Sequence, residues 1–96
     1  MVTDDLIKEF KDRNRITHSF EDSNIKRLLS FSVQYVESRC GEFDTESDNE
    51  NDMLATELVL ERTRYAYNEA LEYFEDNFLS EITALSIIKS GDSDEG

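Results

Sequence analysis

The stretch Met53–Phe78, MLATELVLERTRYAYNEALEYFEDNF, contains neither glycine nor proline. Strong helix formers fill most of its positions, so it predicts one long central helix over residues 53–76. At about 100° per residue, Val59, Leu60, Thr63, Ala66, Tyr67, Ala70, Leu71, Tyr73 and Phe74 fall on one broad face. Glu57, Glu61, Arg64, Asn68, Glu72, Glu75 and Asp76 lie largely opposite. Three apolar residues interrupt that polar side: Leu54, Leu58 and Tyr65, aligned at i, i+4 and i+11. A core helix of a small monomer needs a single apolar face. A second stripe predicts a contact outside the domain, so Leu54, Leu58 and Tyr65 are candidate subunit-interface residues. On that reading Leu58→Asp leaves the monomer folded and abolishes assembly.

The rest of the chain supplies shorter helices. Thr3 is a suitable N-cap, with Asp4 and Asp5 at the positive end of a helix whose apolar positions are Val2, Leu6, Ile7 and Phe10, running to about Arg13. Residues 14–21 read as a connector, with Ile16 and Phe20 turned inward and Phe20 acting as a staple before the next helix. Asp22 or Ser23 caps a second helix, about Asn24–Arg39, with Ile25, Leu28, Leu29, Ser32, Val33, Tyr35, Val36 and Cys40 on one side and Phe31 half exposed at its edge. Gly41 stands where a left-handed residue ends a helix. Residues 42–52, EFDTESDNEND, form an acidic, solvated loop, and Asn51 or Asp52 caps the long helix. After Phe78, Ser80 and Glu81 read as a new helix start. Ile82, Leu85 and Ile88 then mark a short C-terminal helix over 80–88. The fold class is all-α: one domain over residues 1–89, a small bundle of about four helices, and a flexible acidic tail at 90–96.

Charge narrows the function. The formal net charge is −13, and it is unevenly placed. Residues 1–41 hold seven basic and seven acidic residues, whereas residues 42–96 hold three and sixteen. Phosphate neutralisation needs clusters of Lys and Arg, so nucleic-acid binding is disfavoured and basic partners are favoured. No run is long and apolar enough for a membrane span, and a single cysteine gives no internal disulfide. Those features place the chain in cytoplasm or in a particle assembled there.

Chemistry-bearing patterns are weak. With Asp44 at position 1 of a calcium loop, Glu46, Asp48, Glu50 and Asp52 take positions 3, 5, 7 and 9. The glycine at position 6 and the glutamate at position 12 are replaced by Asn49 and Ala55. His18 is the only histidine and has no ligand partner at metal spacing. Cys40 ends an apolar stripe, where an inert buried thiol is expected. No glycine-rich phosphate loop exists. The aromatic residues of YAYNEALEYFEDNF, at helical spacing amid acid, suit core or protein interface better than base stacking. The expectation is a non-enzymatic protein without metal or cofactor.

Two segments carry a resemblance: Phe20–Phe43, FEDSNIKRLLSFSVQYVESRCGEF, and Arg64–Ile87, RYAYNEALEYFEDNFLSEITALSI. They resemble the head–tail connector, or adaptor, proteins of long-tailed bacteriophages. The matching elements are the acidic turn Glu21–Asp22, the helix end Cys40–Phe43, the core Arg64–Phe74 and the terminal Ser80–Ile88. Length and element order agree over nearly the whole chain. The resemblance implies a structural subunit that forms a ring, typically twelve-fold, beneath the portal vertex. Such a ring extends the DNA channel and presents a docking surface for a stopper or tail-completion protein. The implied partners are the portal protein, the stopper or tail-completion protein and further copies of the chain. DNA passes through without specific binding, and no membrane is involved. The location is the head–tail interface of a virion, and the host cytoplasm during assembly. Under this reading Ile82, Leu85 and Ile88 are candidate portal contacts, and Asp44, Glu46, Asp48, Glu50 and Asp52 form a loop that faces the channel or is ordered by a partner.

A ring interface is heterologous, so each subunit needs two different adhesive surfaces. The alternative function is an acidic DNA mimic that inhibits a host DNA-binding protein by presenting carboxylates in place of phosphates. The charge-balanced first 41 residues count against it.

Overall fold

A computed structural model describes the backbone of residues 2–95 and the side chains of residues 2–88. Four α-helices follow in order: α1 (Asp4–Arg13), α2 (Asp22–Cys40), α3 (Glu50–Tyr67) and α4 (Phe74–Glu95), with a 3₁₀ turn at Leu71–Tyr73 between the last two. The class is all-α, and no strand occurs among the described residues. The acidic tail expected at 90–96 lies outside the residues whose side chains are described.

The main departure from the sequence reading is the fate of residues 53–76. They do not form one helix: α3 stops at Tyr67 and the chain turns back. The stop is a Schellman motif built without glycine. The Ala70 N–H donates to the Tyr65 carbonyl at 2.8 Å and the Glu69 N–H to the Ala66 carbonyl at 3.1 Å. Glu69 takes the left-handed conformation, φ 57°. Asn68 adds a side-chain bond, Nδ2 donating to the Arg64 carbonyl at 2.8 Å. The same device ends α1: Arg15 has φ 58°, the Ile16 N–H reaches the Lys11 carbonyl at 2.9 Å, and Asn14 Nδ2 reaches the Phe10 carbonyl at 2.8 Å. Each motif joins orphan carbonyls of the last turn to donors just past it. Gly41, by contrast, sits at φ 91°, ψ 173°, a region open almost only to glycine and distinct from the left-handed helix the sequence suggested.

The second half of the old helix and the expected short helix at 80–88 are one element, α4. Ser80 is an exposed residue within it, not a cap. Two starts also shift. Glu21 occupies the N-cap of α2 without a side-chain bond, and Asp22 is instead paired with Lys11 at 2.7 Å. Asn49 caps α3, its side chain accepting from the Asn51 and Asp52 N–H groups.

Helices α2, α3 and α4 contact one another pairwise and α1 packs on α2. Hydroxyls of Ser32 and Thr63 meet at 2.9 Å, and Tyr65 meets Phe74 and Phe78, which sets α3 antiparallel to both neighbours. Cys40 Sγ lies 3.8 Å from the Ile82 carbonyl, so α2 and α4 run parallel. The core comprises Leu6 and Phe10 of α1, Ile25, Leu29, Val33, Val36 and Cys40 of α2, Ala55, Leu58, Val59 and Leu60 of α3, and Phe74, Ile82 and Leu85 of α4. Ser32 and Thr63 are polar but fully buried, and they satisfy each other. Thr63 also donates to the Val59 carbonyl at 2.7 Å. A hydroxyl has one hydrogen, so Ser32 supplies the proton between the two oxygens. Arg62 Nη1 then donates to Ser32 at 3.2 Å while its guanidinium lies 4.5 Å over the Tyr35 ring.

Candidate functional site

The stripe that promised an outside contact is largely the seat of α4. Leu58 is only 5% exposed and belongs to the core, so it is not an interface residue and Leu58→Asp would break the fold. Tyr65 is half-buried, edge-on to Phe74 and Phe78 at 5.8 Å each, with its hydroxyl accepting from Asn77 Nδ2 at 2.9 Å. Only Leu54 remains substantially open, at 51%. The physical reason is the turn at 68–70. A continuous helix leaves the stripe bare, whereas the folded-back α4 covers it.

The proposed portal contacts divide in the same way. Ile82 and Leu85 are buried core residues, and Ile88 is exposed together with its neighbour Ile87. Phe20, expected to tuck inward, is 81% exposed and stacks on His18 with centroids 3.9 Å apart.

What the fold-back builds is a groove of about 390 Å³ between α3 and α4. Leu54, Leu58, Phe78, Leu85 and Ile88 supply its apolar surface, and Glu57, Glu61 and Glu81 stand along it. No α2 residue lines it, so it opens away from α2. Two of the acids are held by arginines: Glu57 takes Arg13 at 2.6 Å and Glu61 takes Arg64 at 2.7 Å. The Arg13 hydrogen bond holds the Glu57 carboxyl below its ordinary value, against the opposing effect of partial burial. Glu81 is exposed and has no ion pair among the described residues.

A second apolar surface lies on the opposite side of the bundle. Phe31 is half-exposed on α2, with the Arg27 guanidinium 5.8 Å from its ring. Arg27 and Lys26 are both exposed and have no carboxylate partner among the described residues. Most other cations of the first two helices are paired: Lys8 with Asp12, Lys11 with Asp22, Arg13 with Glu9 and Glu57, and Arg39 with Glu75. Tyr35 also donates to Glu75, at 2.8 Å, and that bond together with Arg39 holds the Glu75 carboxyl low.

The acidic loop is less free than its composition suggests. Glu46 accepts from the Thr3 hydroxyl at 2.9 Å, tying the loop to the start of α1. Asp44 accepts from the Glu46 N–H, and Glu50 and Asp52 belong to the first turn of α3, where acid favours the helix dipole. Asp48 is exposed on the same loop. Among the described residues no three His, Cys, Asp or Glu side chains converge as a metal-ligand set. Cys40 is the last residue of α2 and His18 precedes its first turn, so a helix about 27 Å long at about 1.5 Å per residue separates them and they do not act together. No described helix is long and apolar enough to cross a membrane.

Fold and surface together define a class: an acidic, all-α protein with an acid-lined apolar groove on one side and an aromatic, basic face on the other. No protein-family model, curated protein or solved structure matches this chain.

Proposed function

We propose that the chain is a structural subunit of a phage head–tail connector, assembling into a ring beneath the portal and carrying no catalytic activity. The observation that supports this reading is the pair of unlike apolar surfaces on opposite sides of the bundle, the Leu54–Ile88 groove and the Phe31 face. A closed ring uses two different patches per subunit, whereas a two-fold dimer uses one patch twice. The acid concentrated in residues 42–96 suits walls past which a DNA duplex slides without sticking. The portal protein and a stopper or tail-completion protein are the further partners of this proposal, which places the protein at the head–tail interface of the virion.

The test is purification of tagged chain from producing cells, with particle shape read by negative-stain microscopy and bound proteins by mass spectrometry. Annular particles carrying portal protein support the connector reading. A compact complex with a DNA-binding enzyme, displaced by added duplex DNA, refutes it in favour of DNA mimicry.

A further inference from the structure

We propose that the two surfaces are partners for each other: the Phe31 face of α2 in one copy seats in the Leu54–Ile88 groove of the next. This deepens the ring reading and rests on it. The chemistry is complementary on both counts that matter. Phe31 is half-exposed and offers an aromatic side chain to a groove whose open residues, Leu54 and Ile88, are aliphatic and 51% and 44% exposed. Arg27 lies beside Phe31 without a carboxylate partner among the described residues, and Glu81 stands at the groove without a cation among them. A second copy brings each of these groups to the opposite charge. Glu57 and Glu61 reinforce the same sign of field around the groove even though Arg13 and Arg64 partly neutralise them.

The placement of the surfaces makes the contact head-to-tail. The groove belongs to α3 and α4 and opens away from α2, whereas Phe31 and Arg27 lie on the outer face of α2. One molecule cannot bring its own two surfaces together. A second copy that fills the groove leaves its own groove open at the far side, so addition continues, and the ring reading requires that the rotation between copies close the chain of subunits. The charge imbalance of the sequence gains a role here. The balanced first 41 residues supply the cationic face, and the acidic remainder supplies the groove.

A mixing experiment reads this topology directly. Leu54→Asp spoils the groove and Phe31→Asp spoils the face, and both sites are about half exposed, so circular dichroism should report intact helices. Arg27→Glu is a second face variant that leaves the aromatic ring in place. The wild-type chain should form oligomers by sedimentation at or below about 1 mM. Each variant alone should sediment at the single-chain mass of 11.2 kDa. Leu54→Asp mixed with either face variant should give a 1:1 heterodimer and nothing larger, because one intact face then meets one intact groove. Variants that stay monomeric on mixing overturn the pairing. Wild-type rings that persist in each variant overturn the pairing and leave the ring reading standing. A wild-type chain that is monomeric at about 1 mM overturns the self-pairing, and the particles recovered from producing cells then decide the ring reading separately.

Discussion

Leu54 and Leu58 lie one turn apart on the same helix and carry the same side chain, yet they are 51% and 5% exposed. Truncating each to alanine therefore isolates what α4 contributes. For Leu58 the loss comprises the transfer term and a cavity among Val59, Leu85 and their neighbours, about 2–5 kcal/mol. For Leu54 only part of the side chain is withdrawn from water, and alanine is slightly the better helix former. The expected cost is about 0.5 kcal/mol. A chain of this length has a total stability of about 5–14 kcal/mol, so Leu58→Ala removes a large share of it. With a urea slope of about 2 kcal/mol/M, a loss of 3 kcal/mol lowers the midpoint by about 1.5 M. The Leu54→Ala midpoint moves by about 0.25 M. Urea titration followed by far-ultraviolet circular dichroism, at a concentration where the chain is monomeric, reads both shifts. Equal small shifts for the two variants would refute the packing of α4 on α3 and restore the continuous helix.

Three further outcomes follow from the geometry. Glu69→Gly should raise stability by up to about 1 kcal/mol in the same titration, since φ 57° is unfavourable for a residue with a Cβ; a loss would show that the turn is not left-handed there. Thr63→Val should cost about 1–3 kcal/mol by leaving the buried Ser32 hydroxyl short of a partner, whereas an exposed change such as Ser80→Ala should stay within about 0.5 kcal/mol. Because Arg13 holds the folded Glu57 carboxyl below its ordinary 4.5, that contact contributes stability above the unfolded pKa and loses it as pH falls through the folded one. Thermal melts from neutral pH downward should thus show the wild-type advantage over Arg13→Ala, below about 1 kcal/mol for this half-exposed pair, shrinking in acid. An advantage that grows in acid would contradict the assignment.

The sequence by itself determined the helical class, the extent of α1, the approximate span of α2, and the face that α2 buries. Those properties are local. Helix propensity, a cap at Thr3 and a 3.6-residue apolar period act within a few turns whatever the rest of the chain does. The signal for the turn at 68–70 was present but faint: Asn68-Glu69-Ala70 follows the pattern of Asn14-Arg15-Ile16, an asparagine at the helix end followed by a residue that must go left-handed. In isolation such a turn costs about 1–2 kcal/mol, so local reasoning extends the helix through it. Only the tertiary structure offsets that cost, by packing Phe74 and Phe78, stacked on each other, edge-on against Tyr65 and laying α4 on the second stripe of α3. The candidate surfaces changed for the same reason. Whether an apolar residue such as Leu58 is core or interface depends on which distant segment covers it, and Leu54 and Ile88 became neighbours across a groove that exists only once the chain has turned back.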